Sequence, residues 1–211
     1  MVHRTPFILP LLYPSLIWRM PSDGKELFLT FDDGPVPGPT EFVLDTLQRY
    51  NIKATFFCIG DNIKKHPAVF KEIVEAGHKI GNHTHNHLNG WKTASSSYVD
   101  NVEECNKQIA GHLPTPTGTP SIFRPPYGRI TRNQIKSLVK FRIIMWDVLS
   151  IDYNDGLSSP RCLKNTINAS RPGSIIVFHD SYKAEKNLTF VLPKYIEHFL
   201  MLGFEFKVVP G

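Results

Sequence analysis

Charge is scarce in this 211-residue chain, with Asp, Glu, Lys and Arg making up only 20% of it. Beside 41% hydrophobic and 11% aromatic residues, that excludes a disordered chain or a long coiled coil, which need high charge and few aromatics. Cysteine is nearly absent. Cys58, Cys105 and Cys162 lie far apart without C-x-x-C spacing, and their odd number excludes a complete set of internal disulfides. This usage fits a reducing compartment, and Cys58, within an apolar run, reads as a buried small hydrophobe. No uninterrupted apolar run reaches the ~18 residues of a membrane span, so no transmembrane segment is expected. The net charge is +5, yet Lys and Arg are scattered without a basic run, and no nucleic-acid partner is expected. Internal repeats and low-complexity segments are also missing. Proline, by contrast, is frequent: 17 residues spread along the chain argue for many turns rather than a helical bundle.

The length suits a single domain. Residues 6–18 are apolar and uncharged behind His3 and Arg4, as in a secretory signal. However, Pro6, Pro10 and Pro14 break a helical segment, and no small-residue cleavage site follows. Residues 1–24 are therefore expected to form an extended arm packed on one domain of residues 25–211. Cytoplasmic and cell-envelope locations both stay open.

Beyond the arm, short apolar runs alternate with amphipathic stretches. Strands are expected at residues 26–31, 54–59, 79–82, 122–124, 143–148, 175–179 and 204–209, several of them apolar on both faces as buried parallel strands are. Helices are expected between them. Thr40 is read as a cap, and one helix is expected over residues 61–76 with Gly77 as its stop. A third helix opens at Ser95 or Ser96. Thr131 with Gln134 makes a capping-box pattern, Ser159-Pro160 starts a further helix, and a last one spans residues 192–202. The Pro, Thr and Gly of residues 111–120 mark a loop. Alternation of this kind indicates a parallel α/β fold, with an open doubly wound sheet and a β/α barrel both compatible.

Five polar clusters follow the strands. In the first, Asp32 and Asp33 precede the turn-forming Gly34-Pro35. Successive strand residues point to opposite sides, so one acid can bind a metal while the other acts as a base. In the second, His83 and His87 are four apart and would share one face of a helical turn, the spacing that lets two imidazoles grip one ion; His85 would point away. Two His and one Asp leave a zinc ion with an open position for water, the mark of a catalytic site, and the ion would lower the pKa of that water towards ~7. The third cluster, Arg124-Pro125-Pro126-Tyr127-Gly128, offers a guanidinium fork that orients a carboxylate and a rigid loop with N–H groups for a ligand. The fourth runs from Trp146 to Tyr153, and the fifth ends a buried strand in His179-Asp180. All five are expected at the C-terminal edge of a parallel sheet, where active sites of such folds lie.

Taken in order, TFDDGP, HTHNH, RPPYG, WDVLSIDY and IIVFHDS resemble the five motifs of the NodB-homology polysaccharide deacetylases, carbohydrate esterase family 4. The resemblance implies a distorted (β/α) barrel of about seven parallel strands and a divalent cation, zinc first, with cobalt, manganese or nickel as alternatives, held by Asp33, His83 and His87. It implies Asp32 as catalytic base, oriented by Arg124, and His179 as catalytic acid, supported by Asp152. It also implies a Tyr127 backbone N–H that binds the oxyanion and Ile176 at the border of the acetyl methyl. Where the family often has Asp-x-x-Asp-Trp, this chain has Leu149-Ser150-Ile151-Asp152-Tyr153, lacking the first acid and replacing tryptophan. The implied function is hydrolysis of N-acetyl groups on amino sugars of a glycan such as peptidoglycan, chitin or poly-N-acetylglucosamine. Alternatives are a deacetylase or deformylase of a small or lipid-linked amino sugar and a non-catalytic sugar-binding relative. The sequence does not indicate an oligomeric state.

Overall fold

The computed structural model describes residues 3–22, 24–113 and 121–211. Its strands are β1 (Glu26–Asp32), β2 (Thr55–Cys58), β3 (Lys79–Asn82), β4 (Ile122–Phe123), β5 (Arg142–Ile143), β6 (Val148–Leu149), β7 (Ile175–His179) and β8 (Glu205–Lys207). Its helices are α1 (Ile8–Leu12), α2 (Pro39–Arg49), α3 (Gly60–Lys65), α4 (Pro67–Glu75), α5 (Ser95–Gly111), α6 (Arg132–Ser137), α7 (Ser159–Ala169) and α8 (Glu185–Met201). Seven strands form a parallel sheet in the order β5-β4-β3-β2-β1-β7-β6, and β8 pairs with the first half of β1. Between the two formats left open by the alternation, the sheet takes the curled, barrel-like one.

Alternation along the central strands sorts the core into two layers. Leu27, Leu29 and Phe31 of β1, Phe56 and Cys58 of β2, and Ile176 and Phe178 of β7 pack outward with helical residues such as Leu47, Phe70, Leu188 and Tyr195. Phe31 stacks on Phe56 and Phe178 at centroid distances of 5.0 and 6.3 Å. The intervening residues face the interior of the curl. Phe28, Phe57, Ile122, Ile144 and Ile175 form a second apolar cluster there, with Thr30 and Asp32 further along β1. The β1–β7 register sets Asp32 opposite His179, so the two residues emerge at the same level of the sheet.

The edges of the curl meet at the N-terminal arm. Arg4 bridges Val148, Ile17 bridges Ile144 and Arg19 bridges Ser174. The Ile17 N–H donates to Ile143 O at 2.9 Å, and the Met145 N–H donates to Ile17 O at 2.7 Å. Leu16, Trp18 and Met20 are buried beneath this seam.

Several element boundaries differ from the expected ones. The single strand over residues 143–148 is instead β5 and β6 at opposite ends of the sheet, because the intervening residues cross the seam and bond to the arm. The helix over residues 61–76 is two helices. Proline disfavours the α conformation of the residue before it, and His66 before Pro67 sits at φ −129°, ψ 56°. The last helix begins at Glu185 and runs through Pro193. Its buried stripe of Leu188, Val191, Leu192, Tyr195, Ile196 and Phe199 outweighs the backbone bond that proline forfeits. Gly38, not Thr40, occupies the cap position of α2, whereas the Thr131–Gln134 capping box is formed. Most of the expected loop over residues 111–120 lies outside the described residues. All three cysteines are buried and free, and no helix among the described residues is long and apolar enough to cross a membrane.

Trp18→Ala empties the packing under the seam. A loss of about 3–5 kcal/mol in unfolding free energy is expected by urea denaturation, and a loss below ~1 kcal/mol would contradict a seam closed by the arm.

Candidate active site

The site is built upward from one buried cation. Arg124 directly follows β4 and is fully buried. Its Nη1 donates to Thr30 Oγ1 at 2.8 Å and Asp32 Oδ1 at 2.6 Å. Nε and Nη2 donate to the carbonyls of Ile144 and Met145 at 3.2 and 3.0 Å, and the guanidinium lies 4.1 Å from the centroid of the Phe57 ring. Four hydrogen bonds and one ring contact thus hold the planar fork. Asp32, 3% exposed, is fixed in orientation on the floor of the cavity.

Above it, Asp33, His83 and His87 converge. Each offers a ligand atom within 4.8 Å of those of the other two. Asp33 Oδ1 lies 3.7 Å from His83 Nε2 and 3.2 Å from His87 Nε2. His83 Nδ1 lies 2.8 Å from Arg124 O. A carbonyl only accepts, so that nitrogen carries the proton and Nε2 turns a lone pair toward Asp33. Burial pushes the His83 pKa down to about 4 against the pull of Asp32, which keeps the ring neutral, as a metal ligand must be. Burial opposes ionisation of Asp33, yet the contact with His87 and the charge of His179 hold its pKa well below the usual carboxylate range. Asp33 Oδ1 is buried and accepts no hydrogen bond. A carboxylate oxygen and two imidazole nitrogens therefore converge on one point, and a divalent cation fits that donor set. Tyr127 Oη, 3.0 Å from His87 Nδ1, orients the second imidazole from behind.

The two histidines do not share a helical turn, as their spacing had implied. Residues 83–87 form a loop in which Thr84 and His87 have φ values of 63° and 53°. This backbone folds the rings together, with centroids 5.1 Å apart. Of the six non-glycine residues with positive φ among the described residues, five lie in loops of this site: Asp33, Thr84, His87, Tyr127 and Ile151. Left-handed geometry costs such residues on the order of 1 kcal/mol each, and side-chain anchors hold it in place here.

The turn after Asp33 shows how. Asn62 Nδ2 donates to Asp33 O at 2.7 Å, and the Gly34 N–H donates to Asp180 Oδ1 at 3.1 Å. Asp180 Oδ2 accepts from Thr40 Oγ1 at 2.6 Å, and that hydroxyl accepts from the Val36 N–H at 2.9 Å. A Cβ on Gly34 would fall 1.9 Å from Asp180 Oδ2, so the approach needs glycine. Asn62 and the anchoring role of Asp180 escaped sequence reasoning. Asp180 could have been found from its place beside His179, whereas Asn62 carries no sequence signal.

On the other flank, Asp152 Oδ1 lies 2.7 Å from His179 Nδ1 and its Oδ2 accepts from the His179 N–H at 2.8 Å. Burial alone would lower the His179 pKa, but the charge and hydrogen bond of Asp152 outweigh it and raise the value to about 9. Asn187 Nδ2 donates to Asp152 O at 2.9 Å. The Tyr153 ring meets His179 edge-on at 5.0 Å, taking the position where the motif often has tryptophan.

Asp32, Asp33, His83, His87 and His179 line a cavity of about 550 Å³ whose walls include Tyr127, Trp146, Leu149, Tyr153 and Val177. The Tyr127 N–H, in a left-handed turn, donates to no described backbone or side-chain group. Ile176 requires a correction. It does not line the cavity, because it belongs to the outward face of β7 and packs in the helix-covered core. Val177, one residue on, faces inward. Asp147 also lies apart from the site. It precedes β6 and pairs with Arg171 at 2.8 and 2.9 Å and with Ser174 Oγ at 2.7 Å, at the end of the sheet where β7 begins.

Comparison with known proteins gives a consistent result. The sequence model described as Polysaccharide deacetylase matches residues 19–145, more than half the chain. A peptidoglycan-N-acetylglucosamine deacetylase of Bacillus cereus is 39% identical over 166 residues, 76% of this chain and 58% of that protein. A chitooligosaccharide deacetylase of Bradyrhizobium sp. is 32% identical over 164 residues, 76% of this chain and 73% of that one. The chain thus spans little more than half the length of the first of these relatives. Among solved structures, the Bc1960 peptidoglycan N-acetylglucosamine deacetylase superposes with a TM-score of 0.89 at 32% identity, covering 98% of this chain and 95% of that one.

Arg124→Met leaves Asp32 buried without its partner. Chemical denaturation should register a loss of about 3–5 kcal/mol, and a neutral effect would contradict the role of the guanidinium as the site's foundation.

Proposed function

The chain belongs to the polysaccharide deacetylase family, and on that premise we propose that it hydrolyses N-acetyl groups on amino sugars of a glycan, using a divalent cation held by Asp33, His83 and His87. The observation that carries this reading is the convergence of those three donors beside Asp32 and His179, each of which has its own buried partner. Two imidazoles and one carboxylate favour zinc, with cobalt, manganese and nickel as alternatives. When bound, such an ion polarises the amide carbonyl as a Lewis acid and lowers the pKa of nearby water.

The residues of the chain do the rest. Asp32, held by Arg124, takes a proton from the attacking water as its oxygen bonds to the acetyl carbon. The Tyr127 N–H donates to the oxygen that gains charge in the tetrahedral transition state; a fixed dipole aimed at that charge need not reorganise. His179 gives its proton to the sugar nitrogen as the C–N bond breaks, because an amine leaves poorly without an acid. Acetate and a free amino sugar result. Asp152 holds His179 in the orientation and charge state for that step. Leu149 and Val177 supply the apolar wall against which the acetyl methyl packs.

Acetate release from N-acetylated glycans after zinc loading tests the reading. Asp32→Asn should keep zinc binding, measured by calorimetry, while kcat falls at least ~100-fold; near-normal turnover would remove Asp32 from the role of base. A second outcome concerns pH. His179 must be protonated to act, so activity declines as pH rises through its pKa. Asp152→Asn removes the charge that raises that pKa and should move the basic limb of the kcat profile to lower pH. A limb that stays in place would assign the acid to another group.

A further inference from the structure

Among the charged groups lining the cavity, the inner ones are engaged with one another: Asp32 with Arg124, Asp33 with the two imidazoles, and His179 with Asp152. Arg129 and Lys183 are different. Both line the cavity from exposed positions at its mouth, and neither has an acidic side chain as a partner among the described residues. Each is positioned by an aromatic ring instead. Arg129 Cζ lies 5.2 Å from the Trp91 ring centroid, and Lys183 Nζ lies 5.6 Å from that of Tyr153. Trp91 is itself tied down, its Nε1–H donating to Ile130 O at 3.2 Å. Arg129 follows β4 and Lys183 follows β7, on opposite sides of β1 in the sheet order. The two cations therefore approach the Asp32-Asp33 turn from two flanks.

A ring contact steadies a cation without using its N–H donors, so both heads stay available to a ligand. They donate and cannot accept. Hydroxyl groups of a neutral sugar match such heads weakly, whereas a carboxylate matches both their charge and their donors. Unpaired positive charge at the mouth of a cavity also draws anions in. Resting on the deacetylase reading, we propose that the substrate is an N-acetylated glycan carrying a carboxylate near the scissile amide, and that Arg129 and Lys183 select it over a neutral chain. The lactyl ether of N-acetylmuramic acid is a carboxylate of this kind; chitin has none.

The test uses the zinc-loaded wild type and the double variant Arg129→Gln/Lys183→Gln. Two tetrasaccharides serve as probes, one alternating N-acetylglucosamine with N-acetylmuramic acid and the other chitotetraose. The wild type should show the higher kcat/KM on the acidic probe, and added salt should narrow that preference. The double variant should lower the acidic-to-neutral ratio at least about tenfold, chiefly through KM. Equal losses on both probes, or a wild type that prefers chitotetraose, would overturn the assignment. Release of acetate from neither probe counts against the deacetylase reading instead, and calorimetric binding of the same two tetrasaccharides then decides this one. Tighter binding of the acidic probe that is lost in the double variant supports it, and equal or reversed affinities overturn it.

Discussion

The guanidinium of Arg124 is the constraint on which the rest of the site depends. A fully buried charge is tolerated only when its donors are satisfied, and here they are shared among Asp32, Thr30 and two carbonyls of the segment after β5. That sharing ties the central strand to the far side of the curl. It also fixes Asp32 at the level where β7 presents His179. The carbonyl of the same arginine accepts from His83 Nδ1, so one residue orients both the Asp32 carboxylate and the His83 imidazole.

The loops above this floor are held in conformations that side chains rarely adopt. Asp33, Thr84, His87, Tyr127 and Ile151 sit at positive φ, and several are locked by bonds from elsewhere in the chain, such as those of Asn62 and Asp180. Strain concentrated in this way is the cost of preorganisation. Electrostatics point the same way. His83 is kept neutral by burial, Asp33 is kept ionised by its imidazole neighbours, and His179 is kept protonated by Asp152. Each group thus rests in the form that the proposed mechanism requires of it.

Much of this was legible in the residues. Apolar runs that break into Asp, His or Arg marked the strand ends, because a buried parallel strand must become polar where it leaves the core. The parallel α/β architecture followed from the alternation. Other features were hidden for physical reasons. The seam between β5 and β6 depends on the arm, a tertiary contact that no local pattern encodes. The spacing of His83 and His87 pointed to a shared helical face, while left-handed residues bring them together in fact. Ile176 was misplaced by a single residue, enough on a strand to turn a side chain from the cavity to the core. Asp180 and Asn62 act on backbone atoms of the Asp33 turn; Asp180 was marked only by its place beside His179, and the contact of Asn62 leaves no pattern in composition or spacing.

The central claim is that Asp33, His83 and His87 hold one cation whose open side faces Asp32 and His179. Crystals grown with zinc and measured on both sides of the zinc absorption edge test it most directly. A single anomalous peak is predicted at about 2.0–2.2 Å from Asp33 Oδ1, His83 Nε2 and His87 Nε2, with Asp32 still paired to Arg124. A peak coordinated by Asp32, or none among these three side chains, would contradict it.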